Sequence, residues 1–138
     1  MHTNMNGLSS KLNVLVDSVT RHDWDMICIT ETHLLSHLPS SIVDIPNYSL
    51  IRHDVCGHVY KHGVCCYIRN SLLIDSVLQP LCNVLSFRLS LFNVFVLIVY
   101  RAPSNSVEAN ECLSTFILDF CSGKEVIMLG DFNLPGIN

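Results

Sequence analysis

The stretch Val126-Ile127-Met128-Leu129-Gly130-Asp131-Phe132-Asn133-Leu134-Pro135 decides how the chain is read. Four apolar residues in succession fit a strand buried on both faces, and the run passes directly into a polar tip carrying Asp131 and Asn133. Upstream, Asn105 or Ser106 is placed to cap a helix. Leu113, Phe116, Ile117 and Phe120 fall on one face of it, and Gly123 marks its C-terminal end. The same order recurs near the N-terminus. Ser9 and Ser10 can cap a helix with Leu12, Leu15, Val16 and Val19 at helical period, fading around residues 21–23. Met26 to Thr30 is then a short apolar strand that delivers Glu31, Thr32 and His33.

Between these two units the pattern is strand after strand. Ser36 to Pro46, with two prolines and several serines, reads as loop. Tyr48 to Arg52, Val64 to Arg69 and Leu72 to Leu78 read as strands. Val84 to Leu89 and Val94 to Tyr100 form two further β-rich runs joined tightly by Ser90 to Asn93, and Pro103 breaks the loop from Arg101 to Asn105. There is no internal repeat and no low-complexity tract. The chain reads as α/β with a large sheet component, a helix standing ahead of each polar-tipped buried strand.

Composition bounds the function. The 138 residues suit one domain, and 49% hydrophobic with 14% charged residues excludes a disordered chain. A formal charge of −4 gives no support for non-specific nucleic-acid affinity, which rests on Lys and Arg neutralising phosphates. Seven cysteines, an odd number lying mostly in apolar runs, predict buried free thiols in a reducing compartment. The N-terminus lacks the basic start and apolar core of a signal peptide. The longest greasy stretch, Val84 to Tyr100, is interrupted by Arg88 and Asn93, short of the roughly 20 apolar residues a spanning helix needs. An intracellular, nuclear or cytoplasmic protein that is neither secreted nor membrane-embedded is therefore expected.

Three buried strands run into polar groups: Glu31 after the first, Tyr100 and Arg101 after Val94 to Val99, and Asp131 with Asn133 after the last. Asn4 and Asn6 precede the first helix in the same manner. Oxygen donors of this kind suit Mg²⁺ or Mn²⁺ rather than zinc. Spacing alone leaves two readings open, a site presented from a rigid sheet or residues that merely cap strand ends and turns. Other signals favour the plainer reading. Cys56, His58, His62 and Cys65 have zinc-ligand types, but their spacing matches no zinc module, and a His- and Gly-rich loop is expected there. Trp24 and Tyr48 read as core or lid residues, and Cys28 has no base near it in sequence. His33 lies close to Glu31, which makes it a tempting general base.

Four motifs, in this order, carry a resemblance. They are Thr3-Asn4-Met5-Asn6-Gly7-Leu8 with Lys11-Leu12, Ile29-Thr30-Glu31-Thr32-His33-Leu34, Val99-Tyr100-Arg101-Ala102-Pro103, and Leu129-Gly130-Asp131-Phe132-Asn133-Leu134-Pro135. Together they resemble the endonuclease/exonuclease/phosphatase family, most nearly the endonuclease domain of LINE-type (non-LTR) retrotransposons. The resemblance implies a four-layered α/β sandwich, two β-sheets between helices, and Mg²⁺-dependent phosphodiester hydrolysis (Mn²⁺ serving as well). Its substrate would be DNA, nicked ahead of reverse transcription by a domain that a complete family protein carries. It implies Glu31 as the metal ligand, Asn4 in support, and Tyr100 at the phosphate. Asp131 would orient or activate the attacking water, and Asn133 would hydrogen-bond the phosphate. Asn6 is the weaker candidate, shaping the turn, and His33 does not stand where the family places its catalytic His.

The family domain continues past the Gly-Asp-Phe-Asn motif to another Asp and a closing Ser-Asp-His motif, neither of which occurs in these 138 residues. Residues 1–138 are therefore expected to form a partial domain truncated at the C-terminus, with unpaired apolar surface on the second sheet and little or no activity as an isolated chain. Where relatives have an Arg-Asp-Arg and a Gly-rich turn, this chain has Arg52-His53-Asp54-Val55 and Lys61-His62-Gly63-Val64. The alternatives from other classes are a non-enzymatic interaction module and a phosphatase of the same family.

Overall fold

The computed structural model describes residues 1–54 and 62–134. Among these residues eight strands form in chain order: β1 (His2–Asn4), β2 (Met26–Thr30), β3 (Tyr48–His53), β4 (Val64–Arg69), β5 (Ile74–Leu78), β6 (Val84–Leu89), β7 (Val94–Tyr100) and β8 (Val126–Asp131). Helix α1 (Leu12–His22) lies between β1 and β2, and α2 (Val107–Cys121) between β7 and β8. One sheet has the order β1-β2-β4-β3 and the other β5-β6-β7-β8. Each is antiparallel except at one edge, where β1 pairs parallel to β2 and β8 parallel to β7. Parallel neighbours need a crossover, and the two helices supply it.

Alternation along the strands builds the layers. On β2 and β4, Cys28, Val64, Cys66 and Ile68 turn inward. They meet Leu85, Phe87, Leu89, Val96, Ile98 and Tyr100 of the second sheet in one buried cluster. The opposite faces of the same strands, through Ile27, Ile29, Cys65 and Tyr67, pack under Leu15 of α1. Val84, Leu97 and Val99 pack under Leu113 and Phe120 of α2. The result is the four-layered sandwich, helix, sheet, sheet, helix, that the motif resemblance implies. At about 1.5–3 kcal/mol for each large side chain removed from water, the inter-sheet cluster is what holds the two sheets face to face.

Several local readings are corrected. β1 was not expected, because three polar residues carry no periodic signal; it forms by parallel pairing with Cys28, Ile29 and Thr30. Ser9 and Ser10 do not cap α1 but lie in a 3-10 turn, Ser9–Lys11, ahead of it. Ser10 instead donates to the Gly7 carbonyl. Ser106 does cap α2, accepting from the Ala109 amide at 3.2 Å. The strand expected from Leu72 begins at Ile74, and the last strand extends through Asp131. Of the cysteines, Cys28, Cys65 and Cys66 are buried free thiols, whereas Cys82 and Cys112 are exposed. Trp24 and Tyr48 pack against the α1-side core. No helix among the described residues is long and apolar enough to cross a membrane.

Among the described residues β8 lies at the edge of its sheet, with Ile127 and Met128 each 43% exposed.

Candidate active site

The two parallel edges lie against each other, so the carboxyl ends of β1, β2, β7 and β8 converge. Register brings Asn4 beside Thr30 and Tyr100 beside Asp131. At the meeting point the Asn4 side-chain amide donates to Glu31 Oε1 at 2.7 Å and to Asp131 Oδ2 at 3.0 Å. The orientation of that amide is fixed, because Asn4 Oδ1 accepts from the Asn6 backbone N–H at 3.1 Å. An acceptor on that side leaves both N–H bonds for the carboxylates. Tyr100, 6% exposed, completes the group. Burial, then the Glu31 charge and a hydrogen bond to Glu31, and the Asp131 charge push its phenol up to about 12.

Glu31 and His33 both adopt left-handed backbone, φ 54° and 53°, as do Asn6 at 45° and Asn133 at 44°. Asn accepts that region readily, but for Glu and His it costs on the order of 1–3 kcal/mol and persists only where surroundings enforce it. Here they do. The Gly7 N–H donates to Glu31 O and Leu8 N–H to Thr32 O, both at 2.9 Å. From the other side Thr32 N–H donates to Gly63 O at 3.2 Å and His33 N–H to His62 O at 2.9 Å. Lys11 Nζ in turn ties down the Met5 and Asn6 carbonyls. The turn that presents Glu31 is thus gripped between two loops.

Asp131 is set by its neighbours on β7 and β8. A Cβ on Gly130 would stand 2.0 Å from the Val99 carbonyl oxygen, so only glycine lets β8 lie this close to β7. Asp131 Oδ1 accepts from the Asn133 N–H at 3.2 Å. The Asn133 side-chain amide does not join the carboxylates; it donates to the Arg101 carbonyl at 2.9 Å. Arg101 answers through Nη1 to the Asn133 carbonyl at 2.8 Å and Nε to Asn110 at 2.9 Å. The structure therefore brings together Asn4, Glu31, Tyr100 and Asp131, with Asn133 bracing the tip beside them. Asn6 shapes the turn.

Sequence reasoning missed Arg101 as a brace, although its place after Tyr100 was visible. It missed Asn83 altogether, an ordinary loop residue by pattern. Asn83 accepts from the Gly63 N–H at 3.0 Å and faces His62 Nδ1 at 2.9 Å. His33 Nε2 is buried without a hydrogen-bond partner, 3.8 Å from Glu31 Oε2. The zinc-type spacing falls partly outside the described residues, at Cys56 and His58. Within them Cys65 is fully buried in the α1-side core, where burial drives its thiol pKa far up. Arg52 pairs with Asp54 at 2.7 Å and donates to the Leu35 and Leu38 carbonyls, so it braces the 35–40 loop.

The donor set fits a hard cation. The converging oxygens are those of the Glu31 and Asp131 carboxylates, bridged by the Asn4 amide N–H groups, and the described residues contain no cluster of three or more His, Cys, Asp or Glu side chains able to cage an ion alone. Mg²⁺ suits such a site, since it keeps several waters and leans on one or two carboxylates plus substrate phosphate.

No protein-family model and no curated protein sequence matches the chain. Solved structures do. The 3′ phosphatase NExo from Neisseria, seen with a product DNA hairpin, superposes with TM-score 0.79 at 18% identity, over 99% of this chain and 58% of that one. An AP endonuclease from Archaeoglobus fulgidus gives 0.76 at 14% identity, over 96% and 56%. The AP endonuclease LMAP from Leishmania major gives 0.74 at 16% identity, over 96% and 54%. The chain thus spans just over half the length of these three solved chains. What these likenesses establish is the fold, a two-sheet α/β sandwich shared with those chains.

Proposed function

We propose that residues 1–138 form the metal-binding part of a Mg²⁺-dependent phosphodiesterase acting on DNA, of the kind that nicks one strand in LINE-type retrotransposition. The observation that carries this reading is the Asn4 amide spanning Glu31 and Asp131 where four strand ends meet. Glu31 would hold the metal, with Asn4 keeping its carboxylate in place, and Mn²⁺ would substitute. The bound metal supplies charge to offset the developing negative charge at phosphorus. Asp131 would accept a proton from the attacking water. Tyr100, a protonated phenol at neutral pH, would donate to a phosphate oxygen. Asn133 would hydrogen-bond the phosphate with the amide hydrogen not given to Arg101.

The likeness to DNA-processing enzymes and the retroelement-like wording of Thr30-Glu31-Thr32-His33-Leu34 support DNA as the substrate. In a complete protein a reverse transcriptase domain would accompany this one. The 138 residues contain neither the Ser-Asp-His motif nor the further Asp of the family, so the chain alone would nick DNA weakly or not at all. Losing one member of a catalytic set typically costs orders of magnitude in rate.

Two measurements on the 138-residue chain test this. Mg²⁺ should raise the melting temperature of the wild type but not of Glu31→Gln, and supercoiled plasmid should stay intact with either. Equal Mg²⁺ responses would overturn the metal assignment. Robust nicking lost in Glu31→Ala would overturn the inactive-fragment reading.

A further inference from the structure

His62 is held at the same strand ends by an arrangement that fixes where its proton sits. The Gly63 backbone N–H can only donate, and it donates to the Asn83 side chain at 3.0 Å, so the atom there is the carbonyl oxygen. The NH₂ of Asn83 is then the group facing His62 Nδ1 at 2.9 Å, and an amide NH₂ can only donate. Nδ1 must therefore accept, and the proton of the neutral imidazole is on Nε2. Asn83 is itself tightly set, 9% exposed and left-handed at φ 60°, with its carbonyl accepting from the Tyr100 N–H.

The ring stands edge-on to Tyr100, centroids 5.6 Å apart at 79°. The His62 carbonyl holds the His33 N–H, in the turn that presents Glu31. The Glu31 carboxylate and the His33 imidazole both act on the ring electrostatically, and burial outweighs the carboxylate to keep it neutral. A structural role would need only the backbone contact at His62. The Asn83 amide on Nδ1 has a further consequence: it leaves a donor N–H on Nε2 of a ring that packs against Tyr100 and lies within electrostatic reach of Glu31.

We propose that His62, oriented by Asn83 with its proton on Nε2, is a phosphate-binding donor of this site, contacting a phosphate oxygen of the bound nucleic acid. Asn83 is its positioning residue. This rests on the phosphodiesterase reading and adds to it a residue that none of the four sequence motifs contains.

The test uses the 138-residue chain, a fluorescein-labelled DNA duplex and millimolar Mg²⁺, with affinity read by anisotropy. His62→Phe keeps the ring but loses the N–H, and affinity should fall about tenfold, as expected for one hydrogen bond to a charged oxygen. His62→Gln places an amide NH₂ where Nε2 stands and should stay within about threefold of wild type. Long-range ¹H–¹⁵N spectra should show the wild-type ring as the Nε2–H tautomer, and Asn83→Ala should mix the tautomers while weakening binding. Wild-type affinity in His62→Phe, alongside a loss in Glu31→Gln, would overturn the His62 role and leave the phosphodiesterase reading standing. An Nδ1–H tautomer in the wild type would do the same. Should the wild type bind no DNA with Mg²⁺, both fall.

Discussion

The Asn4 amide nitrogen donates to Asp131 Oδ2 across 3.0 Å, joining residues 127 positions apart in the chain and the edge strands of two different sheets. Those sheets meet mainly through apolar side chains, with further polar contacts such as His53 Nδ1 to the Val84 carbonyl at 2.9 Å. A polar contact at their shared corner is a poor source of stability in exposed surroundings, yet a good way to fix the separation of two carboxylates. The fold and the site meet at this bond: the sandwich brings β1 to β8, and the amide sets how Glu31 and Asp131 face one another.

Asn4→Asp converts that shared donor into a third carboxylate. In EDTA the variant should lose about 1–2 kcal/mol relative to wild type, the worth of charge-assisted bonds at an exposed position. Millimolar Mg²⁺ should recover more melting temperature in Asn4→Asp than in wild type, because the cation relieves the added repulsion. Asn4→Ala should lose a similar amount without that extra recovery. Thermal melts of the three proteins with and without Mg²⁺ decide it, and an identical Mg²⁺ response in all three would contradict a cation site here.

Two glycines separate close approach from backbone conformation. At Gly130 a Cβ would stand 2.0 Å from Val99 O and 2.9 Å from Val99 C, atoms of a buried strand that cannot yield. Gly130→Ala should cost about 3 kcal/mol in urea unfolding, and the shift of Asp131 should blunt the Mg²⁺ response. Gly123 has nothing within 4 Å but sits at φ +67°, so Gly123→Ala should cost about 1–2 kcal/mol and leave the Mg²⁺ response intact. Equal losses in both, with no difference in Mg²⁺ response, would detach Gly130 from the site.

Thiol reactivity should follow burial rather than sequence surroundings. Cys82 and Cys112 are exposed, whereas Cys28, Cys65 and Cys66 are fully buried, and burial raises the pKa of the last two. Only thiolate reacts readily with a disulfide reagent. Ellman's reagent followed by peptide mapping should label Cys82 and Cys112 within minutes at pH 8. Cys28, Cys65 and Cys66 should be labelled only on unfolding. Prompt native labelling of Cys66 would show that the inter-sheet core opens.

Much of the architecture was visible because its strands are strongly apolar. Val64–Arg69, Val84–Leu89 and Val94–Tyr100 stand where the sequence put them, and the helix before each polar-tipped strand proved to be the crossover of a parallel edge. What stayed hidden depends on tertiary partners. β1 is three polar residues that become a strand only beside β2. Glu31, Tyr100 and Asp131 could be placed at strand ends by pattern, but their convergence on Asn4 could be anticipated only through the family resemblance. Asn83 and Arg101 act through hydrogen bonds to segments distant in sequence, a relation that no periodicity encodes.

Tyr100 reports on the carboxylates in its pH behaviour. Burial first, then the Glu31 charge and hydrogen bond, raise its pKa to about 12 from the ordinary phenol value of 10.0. The folded state therefore holds this proton where the unfolded state has released it. The stability it contributes is complete below pH 10 and is lost as pH climbs from about 10 to about 12. Glu31→Gln removes the charge while keeping an acceptor, so Tyr100 should titrate earlier and the alkaline decline in stability should become shallower. Residue-resolved ¹³C spectra of tyrosine-labelled protein, recorded up the pH scale in wild type and Glu31→Gln, read the shift directly. An unchanged Tyr100 titration in Glu31→Gln would mean that burial alone sets it, and that the phenol is not coupled to the carboxylate it touches.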